Sequence, residues 1–191
     1  KFIEGMVKRD IRQDVAQKIW QWIEPFASYS FNRSHAAAYA LIAYQTAYLK
    51  ANFPVEFMAS LLTSERADVE RIGFLIGECK KMGVEVLPPD INESLTNFTV
   101  VPNQNKIRFG LSAIKNVGNN IVEVIVNERK TAGPFKSIED FCYRTDLRNI
   151  NKKVLESLIK VGVFDSLGSR KTLLESLNKI ISLSQTKQRA K

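Results

Sequence analysis

A long uncharged stretch over residues 31–53 is the feature that most limits how this chain can fold. No charged side chain occurs between residues 36 and 49. Alanine and leucine are frequent there, and both lose little conformational entropy in a helix. Ser34 is a candidate N-cap, and Pro54 disfavours helix at the residue before it. The pattern therefore predicts one helix from about Ser34 to Asn52 that is apolar on nearly all sides and mostly buried.

The start of this helix combines polar and cationic side chains. Asn32, Arg33, Ser34 and His35 lie where a helix has free amides and the positive end of its dipole, which suits an anion such as a phosphate. The same residues also fit a purely structural role, with Ser34 as the cap, Arg33 in solvent and His35 hydrogen bonded. The residues alone leave both interpretations open.

The composition is that of a soluble globular protein, with 45% hydrophobic and 25% charged residues in 191. Cys79 and Cys142 lack metal-ligand spacing, so we expect reduced core thiols and a cytoplasmic location. The uncharged helix is shorter and more interrupted than a membrane span, which needs about 20 apolar residues. No signal peptide is predicted at residues 1–7.

The net charge of +8 is concentrated at one end of the chain. Residues 112–191 hold 15 Lys and Arg against 8 Asp and Glu. A localised basic excess is typical of a nucleic-acid binder, although a solvated basic surface has the same composition.

Hydrophobic periodicity predicts a mainly α fold. The segments are a helical region over 1–83, an extended segment and β-hairpin over 84–111, a second helical region over 112–183, and a frayed basic tail over 184–191. The hairpin pairs residues 98–101 with 107–111.

Local signals predict most of the helix ends. Pro25 ends the first amphipathic helix, and Gly83 and Gly162 stop two others. Caps are predicted at Asp68, Ser137, Asn151 and Ser169, and a helix beginning at Asn119 or Asn120 is expected to bury Ile121, Val124 and Ile125.

Two similar turns occur in the basic region, at residues 114–118 and 159–162. Each is predicted to join two helices, and together they resemble a pair of helix-hairpin-helix units, which hold the DNA backbone without reading bases. A turn followed by a helix N-terminus offers amides to a phosphate, and a lysine adds charge. Asn116 stands where the resemblance predicts glycine, but asparagine tolerates the left-handed conformation. An ordinary helical hairpin remains the alternative.

No active site is predicted in this chain. It has one histidine, no Gly-rich phosphate loop, and seven aspartates without an Asp-x-Asp pair. Two-metal phosphoryl transfer therefore lacks its carboxylates here. The sequence predicts no catalytic residue, no metal ligand and no cofactor within the chain.

Long motifs nevertheless resemble a known family. Phe-Asn-Arg-Ser-His-Ala-Ala-Ala-Tyr at residues 31–39 is followed by similar motifs at residues 44–59, 82–92, 109–118 and 155–162. They resemble the fingers and helix-hairpin-helix region of the C-family of bacterial replicative polymerases, the DNA polymerase III alpha subunits. The implied fold is a helical fingers subdomain, a short β-hairpin and a tandem helix-hairpin-helix-like region.

The resemblance implies that the parent protein adds deoxynucleotides to a primer by two-metal chemistry with Mg²⁺. Its catalytic aspartates would lie in a palm domain N-terminal to this fragment, which alone would be inactive. The implied partners are a primer-template duplex, a deoxynucleoside triphosphate (dNTP) and, in the parent, the sliding clamp and other replisome subunits. No membrane partner is expected.

The resemblance also implies roles for individual residues. Arg33, often lysine in this family, would face the triphosphate, His35 would bond a phosphate or base edge, and Tyr39 would stack. The residues implied for nucleotide binding are Asn32, Arg33, Ser34, His35 and Tyr39. Those implied for DNA binding are Lys115, Asn116, Val117, Gly118, Asn119, Asn120, Lys160 and Gly162.

Two alternatives remain open at this point. One is a non-enzymatic helix-hairpin-helix module for DNA, with the helical half as a scaffold for docking a partner. The other is the error-prone relative within the same polymerase family.

Overall fold

A computed structural model describes residues 1–28, 32–145 and 151–189. Within these residues the chain forms nine α-helices and one small sheet, which confirms the predicted mainly α fold with a short hairpin. The helices are α1 (Phe2–Val7), α2 (Gln13–Ser28), α3 (Arg33–Asn52), α4 (Pro54–Ser64), α5 (Val69–Lys81), α6 (Asn119–Ala132), α7 (Ile138–Arg144), α8 (Lys152–Val161) and α9 (Arg170–Arg189). The strands are β1 (Glu85–Leu87), β2 (Thr99–Val100) and β3 (Lys106–Arg108).

The chain forms two compact units, Lys1–Leu49 and Lys50–Lys191. The division predicted from the sequence, with boundaries after residues 83, 111 and 183, stays a prediction. None of the helices in the described residues is long and apolar enough to cross a membrane.

In the first unit α1 packs against α2. The rings of Phe2 and Trp20 lie 5.4 Å apart between centroids. Helix α2 runs through Pro25 to Ser28, so the predicted helix end at Pro25 is wrong. Proline removes one backbone N–H from the helix, but the residues on either side of it remain helical.

Helix α3 confirms the predicted helix but not its predicted burial. None of its residues is buried, and the side chains of Tyr39 and Tyr44 are 61% and 69% exposed. An apolar composition favours burial, but burial requires another element that covers the helix. The prediction of a mostly buried helix is therefore wrong for this chain.

A first hydrophobic core joins α4 and α5 to the sheet. Strand β3 pairs antiparallel with β2 and parallel with β1, so the sheet has the order β1–β3–β2. The hairpin of β2 and β3 was predicted, whereas the parallel pairing of β1 was not. The buried residues shared by these elements include Met58, Leu62, Cys79, Val84 and Ile107.

A second core is formed by α6 to α9 and the segments that precede them. The ring centroids of Phe141 lie 5.1 Å from those of both Phe135 and Phe164. Helix α6 buries Val122 and Val126 beside Ile125, so its predicted apolar face is only partly right. Helix α9 continues to Arg189, beyond the predicted end near residue 183, since no glycine or proline follows to stop it.

Candidate nucleic-acid interface

The turn over residues 114–120 is anchored on one side and open on the other. Ile114 and Val117 are buried in the second core, while Lys115 and Asn116 between them are exposed. Asn116 has φ 69°, which confirms the left-handed conformation expected of it. The alternation of anchored and exposed residues leaves Lys115 and Asn116 on the surface of the turn.

The turn differs from the predicted helical hairpin at its start. The segment before it is one turn of 3-10 helix, Leu111–Ala113, rather than an α-helix. After the turn, α6 begins at Asn119 as predicted, with Gly118 as its N-cap residue.

Helix α6 begins without a side-chain cap. Its N-cap is Gly118, which cannot supply one, whereas α5, α7 and α8 are capped by Asp68, Ser137 and Asn151 as predicted. The amides of residues 118–120 have no acceptor among the described residues. Uncapped amides at the positive end of a helix dipole favour an anion.

A side-chain hydrogen bond connects this turn to α8. Asn116 Nδ2 donates to Ser157 Oγ at 3.0 Å, and Ser157 Oγ donates to the carbonyl of Lys153 at 2.9 Å. Lys153 and Lys160 are exposed on the same helix. The hydrogen bond therefore holds the turn that carries Lys115 beside α8, the helix that carries Lys153 and Lys160.

The second predicted turn has a different geometry. Gly162 ends α8 in the left-handed conformation with φ 92°, as predicted, and its amide donates to the carbonyl of Ile159 at 3.0 Å. Gly162 is buried, and a Cβ added there would overlap Arg170. Helix α9 begins only at Arg170, so no helix N-terminus follows this turn directly.

An ion pair covers Gly162. Arg170 Nε donates to Asp165 Oδ1 at 2.8 Å, and this hydrogen bond holds the pKa of the Asp165 carboxyl below its usual value. The turn is thus occupied by the protein's own groups, whereas Lys160 Nζ lies 3.8 Å from Glu156 Oε2. Of the two turns, the first has the more accessible backbone.

The residues implied for nucleotide binding lie together at the start of α3. All are exposed, and the rings of His35 and Tyr39 lie 4.2 Å apart between centroids. Asn32 Oδ1 accepts a hydrogen bond from the Ser34 amide at 3.0 Å. Asn32 therefore caps the helix, and the prediction that Ser34 is the cap is wrong because α3 begins at Arg33.

Sequence reasoning missed two residues on the part of α8 that lies beside the first turn. Lys153 and Ser157 lie four residues apart, and Lys160 follows three residues later. That spacing places the three side chains on one helix face, and it could have indicated a polar stripe. It could not indicate that Asn116, 41 residues before Ser157, lies beside it.

The two thiols are buried, as predicted for core cysteines. Burial raises the pKa of Cys79, and it raises the pKa of Cys142 to about 12. A thiol that stays protonated near neutral pH is a poor nucleophile, so both residues act as packing groups.

Comparisons with known proteins find a matching family profile and several similar sequences. A family profile described as "Helix-hairpin-helix motif" matches residues 83–174. The chain is 50% identical over 167 residues to the DNA polymerase III subunit alpha of Saccharopolyspora erythraea, with 87% of the chain and 14% of the relative covered. It is 44% identical over 192 residues to that of Thermus aquaticus, covering 100% and 16%. It is 45% identical over 177 residues to that of Escherichia coli K12, covering 92% and 15%. The chain thus spans 14 to 16% of the length of these relatives.

Proposed function

The chain belongs to the family of DNA polymerase III alpha subunits, and we propose that it is the part of such a polymerase that holds the primer-template duplex and helps to bind the incoming dNTP. The observation that carries the proposal is the 44 to 50% identity with these subunits, combined with an open basic turn inside the segment that matches a helix-hairpin-helix motif. This favours a polymerase segment over a separate DNA-binding module.

Duplex binding is assigned to the turn before α6. A backbone phosphate accepts hydrogen bonds from the amides of residues 118–120, which have no acceptor among the described residues. The Lys115 ammonium adds charge at the same place, and Asn116 gives the turn its left-handed bend. Contacts of this kind fix the position of the duplex and read no bases.

Nucleotide binding is assigned to the start of α3, as in a fingers subdomain. Arg33 provides a planar cation that can bind a triphosphate through two hydrogen bonds. The rings of His35 and Tyr39 are adjacent. His35 can hydrogen bond to a phosphate or to the edge of a base, and Tyr39 can stack on a base. Their exposure in this chain leaves them accessible to a nucleotide.

The protein that contains this segment is, on this proposal, a cytoplasmic DNA-directed DNA polymerase that works with a sliding clamp and other replisome subunits. Mg²⁺, the metal expected for that reaction, is held by carboxylates. The described residues contain no group of three or more His, Cys, Asp or Glu side chains that could bind a metal ion. On this proposal, the segment binds and orients DNA and nucleotide.

The duplex assignment is tested by replacing Lys115 with Glu. The chain is titrated into a fluorescein-labelled duplex, and its anisotropy is followed at salt concentrations from about 50 to 200 mM. We expect weak, sequence-independent binding that falls steeply with salt, and weaker binding by Lys115→Glu. Binding that does not respond to salt would contradict a phosphate-contacting role.

The nucleotide assignment is tested by Arg33→Ala in the full-length polymerase. The KM for dNTP should rise strongly while the Kd for duplex DNA stays nearly unchanged, because the removed group contacts only the nucleotide. Arg66→Ala is a matched control, since Arg66 is exposed and bonds only to the Thr63 carbonyl among the described residues. Unchanged nucleotide incorporation by Arg33→Ala would show that the pocket lies elsewhere.

A further inference from the structure

Helix α8 presents a lysine-bearing face beside the turn that precedes α6. Ser157, which accepts the hydrogen bond from Asn116, marks the part of α8 nearest to that turn. Lys153 lies four residues before it and Lys160 three residues after it, so both share its face of the helix. The opposite face is buried in the second core through Leu155, Leu158 and Ile159.

The two lysines differ in how far they are neutralised. Lys160 Nζ lies 3.8 Å from Glu156 Oε2, and Lys152 Nζ lies 4.0 Å from Oε1 of the same carboxylate. Lys153 has no ion pair with any described residue, and neither does Lys115. The exposed ion pair of Lys160 with Glu156 contributes little energy, so Lys160 can readily contact another anion instead. The face therefore carries positive charge that is available to a polyanion.

Lys153 and Lys160 are a seven-residue step apart on α8, a rise of about 10 Å. Both side chains are exposed. Two cations on one exposed helix face can each contact a phosphate of the same duplex, and this helix is the one that Asn116 joins to the turn before α6.

We propose that Lys153 and Lys160 of α8 form, with Lys115, a second phosphate-contacting row, and that the Asn116–Ser157 hydrogen bond holds the two segments in register. This inference rests on the proposed binding of duplex DNA. The family resemblance already implies Lys160, and the inference adds Lys153 and the face of α8 that the two lysines share. The turn at Gly162 is covered by Arg170, so its backbone does not contact DNA on this proposal. The second hairpin contacts DNA through the side chains of α8 instead.

The test measures the salt dependence of duplex binding by the full chain. The variants are Lys153→Ala with Lys160→Ala, the matching double arginine variant, and Lys115→Ala. Lys130→Ala is the control for charge, because Lys130 is exposed near the other end of α6, about 16 Å along the helix from its start. Circular dichroism checks that each variant is folded.

We expect the slope of log Kobs against log salt to fall by about 0.9 for each lost phosphate contact, so the double alanine variant should lose up to about 1.8. The double arginine variant should keep the wild-type slope. If Lys115→Ala reduces the slope but the double alanine variant behaves like Lys130→Ala, the α8 row is overturned and the proposed duplex binding stands. If the wild-type chain shows no salt-dependent binding, the proposed function and the α8 row are both overturned.

Discussion

Asn116 donates a hydrogen bond from Nδ2 to Ser157 Oγ at 3.0 Å while its own backbone is left-handed with φ 69°. One residue thus bends the turn before α6 and attaches that turn to α8. The two roles depend on different parts of asparagine, so different substitutions separate them.

Asn116→Ala should destabilise the chain more than Asn116→Gly. Both variants lose the bond to Ser157, but alanine in the left-handed conformation costs about 1 kcal/mol more than glycine. Glycine adopts that conformation without steric strain. Urea unfolding followed by circular dichroism measures the difference, and Ser157→Ala isolates the loss of the bond. Equal stability of the two Asn116 variants would show that the backbone there is unstrained for alanine.

Gly110→Ala should be strongly destabilising. A Cβ at this position would lie 2.5 Å from the Asn97 carbonyl carbon and 2.7 Å from the Phe98 nitrogen, both backbone atoms. We expect a loss of about 3 kcal/mol in the free energy of unfolding, at the upper end of overpacking costs. Gly73→Ala is the matched control, since no atom lies within 4 Å of its added Cβ inside α5, and it should stabilise by about 1 kcal/mol. A loss at Gly73 as large as at Gly110 would refute the steric explanation.

Arg144→Lys should destabilise the second unit. The Arg144 side chain is 13% exposed, donates to Glu128 Oε1 at 3.1 Å and to the Gly133 carbonyl at 2.8 Å, and lies 4.4 Å from the centre of the Phe135 ring. Lysine cannot reproduce a planar set of donors, and unpaired buried acceptors cost about 2 kcal/mol. Thermal unfolding should show a lower Tm, whereas Arg71→Lys on the exposed face of α5 should leave it unchanged. An unchanged Tm for Arg144→Lys would show that these contacts do not stabilise the second unit.

Alkaline pH should destabilise the folded chain through Cys142. Burial raises its folded pKa to about 12, whereas an unfolded thiol titrates near 8.5, roughly. Above the unfolded pKa, unfolding of the chain releases a proton from this thiol. The contribution of the thiol to the free energy of unfolding is therefore fully present below the unfolded pKa and is lost as the pH rises towards the folded pKa. The slope is about 1.4 kcal/mol per pH unit.

Cys142→Ala should remove this part of the pH dependence. Its free energy of unfolding is compared with that of the wild type by urea titration between about pH 7 and pH 10. The cavity left by the sulfur lowers stability equally at every pH, so only the change in slope is diagnostic. Parallel curves for the two proteins would show that the thiol ionises as easily in the folded state as in the unfolded state.

Helix α3 should exchange its amide hydrogens much faster than α8. No residue of α3 is buried, whereas Leu155 and Leu158 of α8 are fully buried. Isolated helices are marginally stable in water, because most helical stability comes from packing. Hydrogen exchange followed by mass spectrometry resolves the two segments. Protection of α3 equal to that of α8 would mean that α3 is covered in solution.

Helix ends in the second unit were predictable because their signals are local. The hydroxyl of Ser137 and the amide oxygen of Asn151 accept bonds from amides only three residues later. Gly162 ends α8 through its own left-handed backbone. Such interactions form within one turn of the chain, so the residue types alone indicate them.

The errors arose where neighbouring residues compete or where another segment decides the outcome. Asn32 and Ser34 are both good caps, and only the observed bond between them shows which one is used. The parallel pairing of Glu85 with Lys106 joins segments that are far apart in sequence. The residues near Ser34 do not show which side chain caps the helix, and the residues of β1 do not show which strand pairs with it.

The amino-acid sequence by itself determined that a helix forms over residues 34–52, that the basic excess lies in the last third, and that the chain resembles a polymerase segment. Those properties follow from composition, local propensity and motif order. Only the tertiary structure decided that α3 is uncovered in this chain, that the first turn is open and the second is closed by Arg170, and that Asn116 meets Ser157. Each of these depends on which distant segments pack together, and hydrophobic periodicity specifies the face that packs but not the partner that covers it.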